Sequence, residues 1–282
     1  MEILAFNPHG LFRSISITGS KCWLNCLYCR GYYLGLMEHA PTPWRFRILV
    51  RTLVKRYGVR GILVSGGFTR EGYLPVKPFL NAIREVKRDY KLIVSVHPGL
   101  VSRELALELD RAGVDIIDYE FSLDTEFIRV LKGLDRKPSD YIESLEVLEK
   151  HGSYHIVPHI PLGFTCNIDS VYKAIDYLST HCFETTVFII YTPVKSKKDS
   201  IGVKCLSKIP SILEYARKKL KTNIALGCMR PPVFRRLYDR IAIEKKLVDR
   251  IVNPYREIIM KYKLETVNAC CSIPTKYIEL FM

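Results

Sequence analysis

No apolar run in this chain approaches the roughly 18 residues of a membrane-spanning helix. The opening Met1-Glu-Ile-Leu-Ala-Phe-Asn7 lacks the basic head of a secretory leader, so a cytoplasmic location without membrane attachment is expected. No linker divides the 282 residues, which are expected to form one domain, with a core over about 10–253 and a C-terminal helix and tail over 254–282. No RNA-binding module is visible either. Acidic residues are the scarce class: 29 Asp and Glu stand against 43 Lys and Arg, a formal net charge of +14. That imbalance concerns partners rather than fold. The chain does have 48% hydrophobic residues, ample for a core, and nine cysteines. Disulfides seldom persist in the cytosol, so metal binding accounts for these thiols better than a disulfide framework, and the odd count agrees.

Three of the cysteines carry the strongest chemical signal. Cys22, Cys26 and Cys29 lie in Cys22-Trp-Leu-Asn-Cys26-Leu-Tyr-Cys29, just after a short apolar strand. Three thiolates hold a four-iron cluster and leave one iron open, whereas a closed structural site wants a fourth thiolate or imidazole close by. His39, beyond Gly31 and Gly35, is the next candidate. The alternatives are a zinc knuckle or a chance group of buried thiols, and context must decide.

The context is a series of short β-branched runs alternating with amphipathic stretches. Strand Arg13–Thr18 precedes helix Trp44–Tyr57, Gly61–Ser65 precedes Val76–Tyr90, and Leu92–Val96 precedes Ser102–Ala112. Gly113 ends that helix, and strand Val114–Phe121 leads to helix Ser139–His151. Then come Tyr154–Ile160 with Asp169–Thr180, Thr186–Tyr191 with Pro210–Leu220, and Asn223–Leu226 with Leu237–Lys246. Val248–Val252 with Pro254–Lys263 completes eight units, which predict an α/β fold closed as a (β/α)8 TIM-type barrel.

A barrel gathers its site at the carboxyl ends of the strands. Cys22, Cys26 and Cys29 follow the first strand, Cys166 the fifth, Cys205 lies in the long loop Thr192–Ser207 after the sixth, and Cys228 ends the seventh. Cys270 and Cys271 lie in a tail free to return to either end, and Cys182 falls on the opposite face as a structural thiol. Each of these alone is more often core than ligand. Together, Cys205, Cys228, Cys270 and Cys271 are the candidates for a second four-iron cluster.

The CxxxCxxC run, with aromatic Tyr28 before its third cysteine, resembles the signature of the radical S-adenosylmethionine (SAM) superfamily. The resemblance implies a [4Fe-4S] cluster on Cys22, Cys26 and Cys29 with SAM on the open iron, and reductive cleavage to a 5′-deoxyadenosyl radical that abstracts hydrogen from a substrate. Ser65-Gly66-Gly67 resembles the superfamily's glycine-rich motif for the methionyl ammonium, with Phe68 where an acidic residue is common. Phe121-Ser122-Leu123-Asp124-Thr125 resembles a run in biotin synthase that holds the SAM ribose, which assigns Ser122 and Asp124 that role. Capping the next helix is the alternative for both. Pro158-His159-Ile160-Pro161-Leu162-Gly163 resembles the segment beside the adenine, and His97 and His159 are either substrate contacts or interior histidines. With Gly227-Cys228-Met229-Arg230-Pro231 and the cysteine tail, the chain is similar to the biotin synthase-like branch, and within it to a subunit of the archaeal-type two-component lipoyl synthase. That implies sulfur insertion into an unactivated C–H bond of an octanoyl chain, with an auxiliary cluster as sulfur source. Carbon-skeleton rearrangement, methylation, RNA modification or a non-catalytic iron–sulfur subunit are the alternatives.

The implied partners are a reductant such as ferredoxin or flavodoxin, an acidic acyl-carrier or lipoyl domain, and a second synthase subunit. Loop Thr192–Ser207, with Lys195, Lys197, Lys198 and Lys204, reads as a lid or a partner-docking loop against a solvated connection. The basic groups at Arg51, Lys55, Arg56 and Arg60, at Arg217, Lys218, Lys219 and Lys221, and at Arg235, Arg236 and Arg240 are either solvated helix faces or a nucleic-acid surface.

Overall fold

A computed structural model describes residues 2–192, 194 and 204–282. Eleven strands form: β1 (Leu4–Phe6), β2 (Phe12–Ser16), β3 (Glu38–His39), β4 (Gly61–Ser65), β5 (Ile93–Val96), β6 (Ile116–Glu120), β7 (His155–Leu162), β8 (Thr185–Ile190), β9 (Asn223–Leu226), β10 (Arg250–Val252) and β11 (Thr266–Val267). Between them run α1 (Pro43–Tyr57), α2 (Leu80–Tyr90), α3 (Arg103–Arg111), α4 (Pro138–His151), α5 (Ile168–Leu178), α6 (Ile209–Lys219), α7 (Pro232–Glu244) and α8 (Arg256–Tyr262). All eight expected strand–helix units are present. Local chemistry sets the helix ends. The Thr42 hydroxyl accepts from Arg45 N–H with Pro43 in the first turn, and Gly58 ends α1 at φ 65°, a left-handed conformation that glycine adopts without strain. Ser102 and Asn167 cap α3 and α5 in the same way.

The sheet differs from the expected closed barrel. Its order is β11-β1-β10-β9-β8-β7-β6-β5-β4-β2-β3, every pair parallel. The first and eighth expected strands, β2 and β10, do not pair. The short β1 takes the free edge of β10 and β11 takes the edge of β1, while β3 takes the edge of β2. The result is an open but curled sheet. Its curl is shown by one interior cluster drawing residues from most strands, among them Phe6, Phe12, Ile93, Ile116, Val157, Val187, Ala225 and Val252. Across the remaining gap the Leu11 N–H bonds the Asn268 carbonyl at 3.2 Å. Alternate strand residues such as Ile15, Ile62, Val94, Ile117 and Phe188 face outward into a second core under the helices.

The tail returns to the amino ends of the strands. The Phe281 ring packs 5.9 Å from that of Phe12 at the start of β2. Arg250, the first residue of β10, donates to the carbonyls of Cys271 and Ile273 at 2.7 and 2.6 Å. Glu184, just before β8, accepts from the backbone N–H and hydroxyl of Thr275 at 2.5 and 2.6 Å. The tail is therefore a floor. No helix among the described residues is long and apolar enough to cross a membrane. Lys195, Lys197 and Lys198 of the expected lid loop lie outside the described residues.

Candidate active site

The cysteine loop leaves the carboxyl end of β2 and is tied to its neighbours through its backbone. Trp23 N–H bonds the Phe68 carbonyl at 3.0 Å and Leu27 N–H the Leu131 carbonyl at 2.8 Å. Asn25, Arg30 and Gly31 take positive φ, which curls the segment around its thiols. The Cys26 thiol is buried, and its hydrogen bond to Cys29 lowers the Cys29 pKa while raising its own. Tyr28 is enclosed by Phe127, Phe164 and Tyr191 at ring distances of 5.8, 4.9 and 6.2 Å, and burial pushes its hydroxyl pKa well up. His39 is not a fourth ligand here: its Nε2 bonds the Leu34 carbonyl at 2.8 Å, since β3 fixes the ring away from the loop.

The glycine turn after β4 is keyed to this loop. Thr18 Oγ1 accepts from Gly67 N–H at 2.7 Å and donates to the Lys21 carbonyl at 2.8 Å, so one hydroxyl joins the two segments. A Cβ on Gly67 would stand 2.0 Å from that carbonyl and 2.5 Å from the Cys22 Cα. Only glycine fits there. Ser65 is buried at the strand end, beside Gly66.

Among the described residues, no three His, Cys, Asp or Glu side chains lie close enough to hold one metal ion. A four-iron cluster places each thiolate on a different iron and so spreads its ligands wider than a single ion does. Three thiols on one curled loop, roofed by a side-chain-free turn, fit such a cluster.

The expected ribose contacts have local work to do. Asp124 Oδ1 accepts from Glu126 and Phe127 N–H at 2.9 and 3.3 Å, capping a π-helical turn over Glu126–Leu131, and Oδ2 accepts from the Thr165 hydroxyl. Ser122 Oγ accepts from Asp124 N–H at 3.2 Å. Both are buried, and these bonds hold the segment after β6 in place.

Several site groups escaped the sequence reading. Lys132, 4% exposed, pairs with Glu120 and donates to Tyr141 Oη at 3.0 Å inside a ring of Phe68, Phe127 and Tyr141. Burial works to lower its pKa, but Glu120, Tyr141 and Cys26 together raise it, so it stays a cation beside the cysteine loop. Asp118 projects inward from β6 and accepts from the Ser95 hydroxyl at 2.5 Å. His97 is pushed down to about 4, chiefly by burial and further by His159. Strand parity marks Asp118 as an inward position, and a charged residue inside a β-branched run was the available signal; Lys132 follows the π-helical turn and has no such signal, and His97 is one of the histidines already named from the sequence.

The second set of cysteines divides. Cys205 is not free to join the tail: it forms a disulfide with Cys166, binding the loop after β8 to that after β7, because Lys204 N–H docks on the Gly163 carbonyl at 2.9 Å. Cys228 exposes surface, while burial and then the nearby Cys270 raise the pKa of its thiol. Cys271 is buried in the floor, and its thiol hydrogen bond lowers the Cys270 pKa while raising its own. Cys182 is exposed at the amino end of β8. The basic groups are largely engaged within the chain: Arg60 bonds the Leu280 carbonyl, Arg217 pairs with Asp249, Lys219 with Asp176, and Arg236 with Glu257.

No protein-family model matches this sequence, and no curated protein does. Solved structures do match in fold. A crystal structure of methylornithine synthase (PylB) has a TM-score of 0.63 at 15% identity, covering 95% of this chain and 84% of its own. The [FeFe]-hydrogenase maturase HydG from Carboxydothermus hydrogenoformans has a TM-score of 0.64 at 17% identity, covering 89% of this chain and 58% of its own. Streptococcus suis SuiB bound to S-adenosylmethionine has a TM-score of 0.61 at 15% identity, covering 80% of this chain and 52% of its own. At these identities the likeness is one of fold, and the chain spans little more than half of HydG and SuiB.

Proposed function

We propose that this chain is a radical SAM enzyme. The observation that carries the reading is the cysteine loop, with three thiols on one curled segment and Gly67 packed directly over Cys22. The fold shared with a SAM-bound structure supports it. A cluster on Cys22, Cys26 and Cys29 with SAM on its open iron would supply one-electron cleavage to a 5′-deoxyadenosyl radical, which takes hydrogen from a substrate C–H bond. The chain's own residues orient and shield. The turn Ser65-Gly66-Gly67 would receive the methionyl ammonium, its two glycines leaving room for a close approach to backbone. Tyr28, Phe127, Phe164 and Tyr191 form an aromatic wall beside the loop that excludes water.

For the reaction class, sulfur insertion remains the favoured reading. Its support is that Cys228 lies near enough to Cys270 for the second thiol to raise the pKa of the first, so the two could ligate one cluster. The withdrawal of Cys205 into a disulfide and the burial of Cys271 favour a second reading, a single-cluster radical enzyme of other chemistry. An external one-electron donor such as ferredoxin or flavodoxin, an acidic carrier of the substrate and a second synthase subunit stay part of the proposal, supported by the +14 charge alone. Anaerobic reconstitution tests the reading. Reduced protein should release 5′-deoxyadenosine from SAM, and a protein lacking Cys22, Cys26 and Cys29 should not; iron retained by that variant would support the second cluster, and none would leave the single-cluster reading.

A further inference from the structure

The interior walls are chemically unequal. Ser95, Asp118 and His159 make a polar strip across β5 to β7, flanked by Leu63 on β4 and by Val187 and Ile189 on β8. Asp118 is 6% exposed and its Oδ2 accepts from Ser95, but its Oδ1 has no hydrogen-bond partner. An acceptor left bare in a buried place is costly.

The group facing that oxygen explains what is missing. His159 Nε2 lies 3.9 Å from Asp118 Oδ1, too far for a hydrogen bond. His159 Nδ1 lies 2.9 Å from the Val157 carbonyl, and a carbonyl only accepts, so Nδ1 carries the hydrogen. With its hydrogen on Nδ1, the ring has an Nε2 that can accept, and it stands 3.9 Å from a carboxylate oxygen that also accepts, a gap that no hydrogen bond between them closes. Charge points the same way: Lys132 compensates Glu120, whereas Asp118 has no cation within ion-pair distance among the described residues apart from that imidazole.

We propose that Asp118 and His159 form a subsite for a primary ammonium group of the substrate, whose alkyl portion lies along Leu63, Val187 and Ile189. An ammonium supplies at least two hydrogens, one for each acceptor, and the positive charge that the carboxylate lacks. A hydroxyl supplies one and a carboxylate none. The subsite deepens the radical SAM reading by naming the substrate as an alkylamine, and it rests on that reading only for what happens to the ligand once bound.

Calorimetric titration of the reconstituted protein with hexylamine, hexanol and hexanoate tests the site. Hexylamine should bind at least tenfold tighter than either of the others. Asp118→Asn should weaken hexylamine binding at least tenfold, and His159→Gln severalfold with the carboxylate intact. Ser95→Ala, which keeps the charge, should retain most of it. Equal binding of amine and alcohol would mean that the gap holds only water, and hexylamine binding unchanged in Asp118→Asn would overturn the subsite equally. Should Asp118→Asn not fold, the wild-type amine-to-alcohol ratio and His159→Gln decide. The titration involves no SAM cleavage, so amine binding without 5′-deoxyadenosine release would sink the radical reading and keep the subsite, and the reverse result would do the opposite.

Discussion

The two ends of the curled sheet are built from the same parallel strands and solve opposite problems. At the carboxyl end, segments meet through backbone and glycine: the cysteine loop is held by Phe68, Leu131 and Thr18, and Gly67 lies where any side chain would collide. At the amino end, large side chains meet large side chains, with Phe281 against Phe12 and the Arg250 guanidinium binding the tail carbonyls. One end leaves thiols and polar groups facing a lumen, and the other is closed by packing. Chemistry and stability are therefore separable by position, as sites on barrel-like sheets commonly allow.

The strongest way to sharpen the contrast is to remove chemistry at one end alone. Alanine at any of Cys22, Cys26 or Cys29 should abolish 5′-deoxyadenosine release while the denaturation midpoint of iron-free protein changes little. At the other end, Phe281→Ala should cost about 3–5 kcal/mol of stability, the range for deleting a buried aromatic. Denaturant unfolding would measure it, and the spectrum of the reconstituted cluster should stay that of the parent.

Gly67→Ala probes whether the carboxyl end is as intolerant as its geometry implies. The added carbon would stand 2.0 Å from the Lys21 carbonyl, so iron retained after reconstitution should fall severalfold. Full retention would show that the two loops are not in register. Asp124→Ala carries a smaller effect: with the cap removed it should lose about 1 kcal/mol of stability and leave SAM affinity unaltered. A tenfold loss of SAM affinity would instead restore the ribose role.

A further effect is one of pH. His97 is held near 4 in the folded protein against about 6.5 when unfolded, so between those values the unfolded state binds more protons. Its contribution is present above about 6.5 and is lost as pH falls toward 4. The denaturant midpoint should decline across that window, and His97→Gln should flatten the decline.

Much of the carboxyl end was legible because it is local. Cys22, Cys26 and Cys29 lie within one turn of chain, and strand parity places Ser65 and the glycines at a strand end. The amino end was not legible, since a floor made from a tail has no periodic signal and Arg250 reads as an ordinary surface charge. Sheet closure failed for a related reason: β1, β3 and β11 are two or three residues long, too short to show a period, yet they occupy the edges that β2 and β10 would have joined. The link between Cys166 and Cys205 depends on how two loops dock, which spacing does not encode. Asp118 was passed over because Ile116-Ile-Asp-Tyr-Glu120 looks like a strand interrupted by charge, and only the opposing His159 reveals what that charge faces.

The floor also sets an order of events for folding. Phe12 and Phe281 touch although nearly the whole chain lies between them, and a contact so distant in sequence forms only after the strands between have assembled. Until residues 268–281 arrive, the sheet presents Phe6, Phe12, Ile93 and Ile116 to solvent along its interior face. A nascent or truncated chain ending at β10 would carry that apolar surface uncovered, so the arrival of residues 268–281 guards the sheet against aggregation during synthesis.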